Sequence, residues 1–153
     1  MKVNPKVALT LSRLDAKTWI RGSGGYDPHN PYCGPKCFME QYTLDHISNP
    51  TAVATGPGGY INIEWYKCKW EKEIQELACL LSPMLAADSD LTPYQRTEQV
   101  CSIIWNVNDN RAHDVDELKQ IIELAYASYE GETFPLPEFG EEFSYDPVLE
   151  TTF

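Results

Sequence analysis

The sequence predicts a mainly α protein: a compact bundle of about four to five helices, with room for a short β-hairpin and an irregular C-terminal tail. Three observations predict it. Apolar residues recur at three- and four-residue spacing in several windows. Two capping-residue-plus-proline pairs and one well-placed aspartate mark helix starts. No repeat of 20–50 residues and no alternation of strand and helix patterns competes with that reading.

Asn4-Pro5 opens the first helix, with Val7, Leu11 and Leu14 on one face. It is expected to run to about Trp19. The stretch RGSGGYDPHNPYCGP, residues 21–35, is a loop, because Gly and Pro punctuate it. Pro35 is expected to open a second helix through Phe38, Tyr42 and Ile47. TAVAT and YINI flank a Gly-rich turn and read as the hairpin. A long helix is expected from about Glu64 to Ser82-Pro83, carried by Trp70, Ile74, Leu77 and Leu81. Thr92-Pro93 repeats the start signal, and Val100, Cys101, Ile104 and Trp105 make the stripe that follows, which NVNDNRAH breaks. Asp114 is the strongest cap, with Glu117 in capping-box spacing. Val115, Leu118, Ile121, Ile122, Ala125 and Tyr129 follow, and Gly131 is the expected stop. The chain therefore divides into a helical domain, 1–131, and an acidic aromatic tail, 132–153.

The 153-residue chain carries a net charge of −11. Six acidic residues and no Lys or Arg lie in the tail, so the body accounts for only −5. This balance argues against direct binding of nucleic acid, which needs a basic face for the phosphates. Four of the five Phe also lie in the tail, and Pro135, Pro137 and Pro147 forbid a continuous helix there. Folding back onto the helices, docking onto a partner and plain disorder are all open to such a segment, although disordered segments are usually poor in aromatics. The first 15 residues lack the apolar core of a secretion signal, and no run approaches 18 apolar residues. The expected setting is the cytoplasm, with the five cysteines reduced and no membrane contact.

YCGPKC, residues 32–37, is the one stretch that suggests chemistry. A dithiol redox pair would be Cys-Gly-Pro-Cys, but Lys36 is inserted and the surrounding strand–helix pattern is missing. Lys36 and a helix N-terminus are nonetheless placed to make Cys37 somewhat acidic. His29, Cys33, Cys37 and His46 are all zinc-binding residue types. Their spacing is unfavourable, since residues nine apart on one helix point about 180° away from each other. A buried small cysteine at the base of a glycine loop is the third reading. Asp45-His46 and His113-Asp114 are adjacent pairs without triad geometry, and the nucleophile-elbow, P-loop, dinucleotide and zinc-protease motifs are absent from the sequence.

Two separated pieces, WIRGSGGYDPHNPYCGPKCFMEQY and IIWNVNDNRAHDVDELKQIIELA, together resemble a small helical domain of unknown function found in bacterial and phage genomes. That family pairs a Trp-x-x-Gly loop and a Cys at a helix start with a Trp-Asn-Asp turn before an acidic-capped helix. The matching positions are Trp19, Gly22, Cys37, Trp105, Asn106 and Asp109. This chain departs from the pattern after Cys37, where Phe-Met-Glu replaces small residues, and at Val107-Asn108, which intervene before Asp109. The resemblance implies a fold and a phage-like accessory setting, and no catalytic activity.

The sequence thus favours a non-enzymatic accessory protein, phage-encoded in the setting the resemblance implies, that binds or inhibits a host protein. Its candidate contact residues are Phe134, Phe139, Glu141, Glu142, Phe143 and Tyr145. No cofactor is expected under this reading. Two alternatives remain: a zinc- or thiol-dependent protein centred on Cys33 and Cys37, and an acidic mimic of nucleic acid.

Overall fold

The computed structural model describes residues 1–22, 29–46, 72–87, 90–131 and 134. Among these residues the protein is mainly helical, with six α-helices and one π turn. They are α1 (Pro5–Arg13), α2 (Phe38–His46), α3 (Glu73–Leu81), α4 (Pro83–Ala87), α5 (Pro93–Asn106), the π turn (Val107–Arg111) and α6 (Val115–Ala127). The expected hairpin, residues 64–71 of the expected long helix and nearly all of the tail lie outside the described residues, and the described part of that helix begins at Glu73, after a turn at Lys72.

The cap signals operate as expected. Asn4 accepts the Lys6 amide at 2.9 Å and starts α1. Thr92 and Gln95 form a complete capping box at α5, with bonds of 3.1 and 2.9 Å. Asp114 accepts the Glu117 amide at 2.8 Å and starts α6.

Three boundaries differ from the sequence reading, each for a local reason. α1 ends at Arg13 rather than near Trp19. Asp15 Oδ1 accepts the Lys17 and Thr18 amides at 2.8 and 3.0 Å, a turn that competes with the helix. α2 begins at Phe38 rather than Pro35, because Lys36 is paired with Trp19 in an isolated parallel bridge. There the Lys36 amide donates to the Thr18 carbonyl at 2.8 Å and its carbonyl accepts from Ile20 at 3.2 Å. α6 ends at Ala127, four residues before Gly131. Gly131 does not have the positive φ of a C-terminal cap; only Gly22 and Gly34 do among the described residues. Gly131 serves close approach instead, since a Cβ there would fall 2.6 Å from the Tyr129 ring.

The core is continuous across the helices. α3 packs on α5 and α6, α1 packs on α2, and α2 reaches α5. Val7, Leu14, Phe38, Tyr42, Ile74, Leu77, Ile104, Leu118 and Tyr126 are among its fully buried members. Side chains of this kind contribute roughly 1.5–3 kcal/mol each when buried. α1 and α2 are also joined by polar contacts. The Asp45 carboxylate accepts from Thr10 Oγ1 (2.8 Å), Arg13 Nη1 (2.8 Å) and Gln41 Nε2 (2.9 Å). Phe134 packs against the core, its ring 5.1 Å from that of Tyr129.

Candidate functional site

The site is built by the π turn that follows α5. The Ala112 amide donates to the Val107 carbonyl at 2.9 Å, an i to i−5 bond that admits one extra residue into the turn. That wider turn places Asn108 and Asp109 side by side, facing the two chain segments on either side of the glycine loop.

Asn108 is fully buried and uses both ends of its carboxamide. Its Oδ1 accepts from Trp19 Nε1 at 2.7 Å and from the Phe38 amide, at the start of α2, at 3.0 Å. Its Nδ2 donates to the Ile20 carbonyl at 3.2 Å and to Asp109 Oδ1 at 2.8 Å. Asp109 Oδ1 also accepts the Gly22 amide at 2.8 Å, and Arg21 Nε donates to the Asp109 carbonyl at 3.0 Å. Gly22 has φ +73°, which only glycine adopts without strain. One turn therefore clasps three things: the Trp19–Gly22 segment, the Trp19–Lys36 bridge and the first amide of α2.

Beside the clasp lie three buried residues from the YCGPKC region. Lys36 Nζ donates to the Cys33 and Gly34 carbonyls at 2.8 and 3.3 Å. Burial holds its ammonium below the usual lysine range, against the pull of Glu40 and Cys33. Glu40 Oε1 accepts the Cys37 amide at 3.0 Å, and the Glu40 amide approaches Cys37 Sγ at 3.5 Å, a capping pair with sulfur in the hydroxyl's place. The expected acidic Cys37 is not what forms. Burial pushes its thiol well above its usual range, and the Glu40 and Asp109 carboxylates add to the rise. Desolvation outweighs the helix N-terminus because Cys37 is buried.

The candidate zinc residues are not brought together. Cys37 is buried just before α2, and His46 closes that helix nine residues later, a rise of about 13 Å. Cys33 is exposed, with Asn30 Nδ2 donating to its sulfur at 2.9 Å, and His29 is exposed. His46 Nε2 lies 2.8 Å from the Lys6 carbonyl and 3.3 Å from Thr10 Oγ1, and its ring packs 4.4 Å from that of Tyr42. A carbonyl only accepts, so Nε2 carries the proton and cannot serve Thr10 as a base. Among the described residues, no group of three or more His, Cys, Asp or Glu is placed to hold a metal ion. Cys79 is also buried, with Arg96 Nη2 donating to its sulfur at 3.3 Å; burial raises its pKa and the guanidinium pulls it partly back.

Of the contact residues expected in the tail, Phe134 is described and packs on Tyr129. Phe139, Glu141, Glu142, Phe143 and Tyr145 lie outside the described residues. Of the positions that carry the family resemblance, Trp19, Gly22 and Asp109 meet in the clasp, with Cys37 beside it. Asn106 is exposed and accepts from Asn110 at 2.9 Å, apart from it. Sequence reasoning missed Asn108, which it took for an intervening residue. The signal was present: extending the stripe of Val100 and Ile104 by one more turn lands on 108, a polar side chain on a buried face.

No helix among the described residues is long and apolar enough to cross a membrane. Compared with protein-family models, curated proteins and solved structures, the chain matches none.

Proposed function

We propose that this chain is a non-enzymatic accessory protein that works by binding another protein, in the bacterial or phage setting its sequence resemblance implies. The helical body is the platform, and the acidic aromatic segment after Phe134 makes the contact. The observation that carries the reading is the seat of Phe134. Its ring packs on Tyr129, just past the end of α6, so Phe134, the first aromatic of the tail, is anchored on the body. The chemistry of the body supports the same reading. Burial pushes the thiols of Cys37, Cys79 and Cys101 and the phenol of Tyr42 toward their neutral forms. The polar groups of the Asn108 clasp bond to one another.

The test compares the full chain with a chain ending at Phe134, each immobilised and exposed to bacterial lysate. The expected result is a protein captured by the full chain and lost with the shorter one, while the helical circular-dichroism signal is retained. Equal capture by both chains would overturn the reading.

A further inference from the structure

The outer face of α6 carries exposed and half-buried side chains, Leu124 and Ile121 among them. α6 turns Val115, Leu118, Ile122 and Tyr126 into the core. Glu117, Gln120, Ile121 and Leu124 follow i, i+3, i+4, i+7 spacing and share the opposite side. Leu124 is 61% exposed. Ile121 reaches from this face to the edge of the core. Both line a shallow depression of about 690 Å³ together with Asp114, Asp116, Glu117, Gln120 and Glu123, and Lys119 is the one cation in its lining.

We infer that this face docks a basic amphipathic helix of a partner protein. The inference rests on the protein-binding reading and names the partner's chemistry, at a place distinct from the tail. An apolar stripe of the partner covers Leu124 and Ile121, and Lys or Arg on its flanks meet the four carboxylates. Charge selects this occupant. A second copy of the same face, or the chain's own acidic tail, would set carboxylate against carboxylate, which disfavours pairing. α6 spans 13 residues, about 20 Å, which suits a partner helix of three to four turns.

The test uses the full chain, labelled with ¹⁵N, and a synthetic peptide of about 14 residues with leucines at i, i+3/i+4 and i+7 and lysines elsewhere. A scrambled peptide of identical composition is the control for simple charge attraction. The expected result is shifts confined to the amides of residues 114–124 and preference for the patterned peptide. Leu124→Ser, or Glu117→Lys with Glu123→Lys, should weaken binding by about tenfold, as loss of a central anchor or of complementary charge does. All three substituted residues are solvent-facing or half-buried, and circular dichroism checks that the variants fold. Equal binding of the scrambled peptide, shifts mapping elsewhere, indifference to Leu124→Ser, or self-association through this face would each overturn the inference. Tail-dependent capture would survive any of these, so the two proposals fail separately.

Discussion

Asn108→Ala is the perturbation that bears most directly on the fold. It removes the acceptor of the Trp19 indole N–H and of the Phe38 amide, and the donor to the Ile20 carbonyl and Asp109. The Phe38 side is fully buried, so its amide finds no water in place of the carboxamide. Each orphaned buried donor costs about 1–3 kcal/mol, and the two together give an expected loss of roughly 2–6 kcal/mol. Domains of this kind are stable by about 5–15 kcal/mol, so the loss is a large fraction of the whole. Urea unfolding followed by circular dichroism and tryptophan fluorescence measures it. Asn106→Ala is the control, since its side chain bonds to Asn110 at the surface; a loss of under about 0.5 kcal/mol is expected. Asn108→Asp keeps the acceptor but sets a carboxylate against Asp109, so it should destabilise at neutral pH and recover as the pH falls toward 5. If Asn108→Ala costs less than about 1 kcal/mol, no more than other mild substitutions, the clasp does not hold the loop and α2 together.

Further outcomes follow from the buried titratable groups. Burial pushes the Cys101 thiol up to about 12 from an ordinary 9.0, with Glu98 adding to the rise. Between those values the unfolded chain loses a proton that the folded chain keeps, so stability falls as pH rises from about 9 to 12. Tyr42 and Tyr126, also raised by burial, add to the fall above 10, while Lys36, lowered by burial, opposes it. Urea midpoints at pH 8, 9.5 and 10.5 should decline in order; a flat series would contradict the burial of these groups. In a Cys68→Ser background, one thiol, Cys33, should react promptly with a disulfide reagent, and Cys37, Cys79 and Cys101 only on unfolding. Prompt reaction persisting in Cys33→Ser would show that a second thiol is open. Phe134→Ala should cost about 1 kcal/mol, the worth of a half-buried ring with an aromatic neighbour, read from the same melts.

Much of this was legible in the sequence, for reasons that particular residues show. Caps are local: Asn4, Thr92 and Asp114 each bond to an amide two or three residues away, so their signal sits within one turn. The helix faces are legible because burial follows the 3.6 period, as Val115, Leu118, Ile122 and Tyr126 do. The lost boundaries were set by partners far along the chain. Lys36 is kept out of α2 by Thr18 and Ile20, 16 to 18 residues away, and no local propensity records that. Cys37 illustrates the same limit for chemistry. Its neighbours in sequence, Lys36 and the helix start, point to an acidic thiol; its neighbours in space, a dry core with Glu40 and Asp109, point to the opposite. The clasp was hidden because the partners of Asn108, namely Trp19, Ile20 and Phe38, lie 70 to 89 residues away in the chain, although its buried position follows the helical spacing of Val100 and Ile104.

The division into a self-sufficient helical body and a contact segment is tested most directly by urea unfolding of the chain ending at Phe134 beside the full chain. The two should unfold cooperatively at the same midpoint, within about 0.5 kcal/mol, since the core members among the described residues and the clasp are retained. A shorter chain that unfolds, or loses several kcal/mol, would place residues 135–153 in the core and contradict their role as a contact segment.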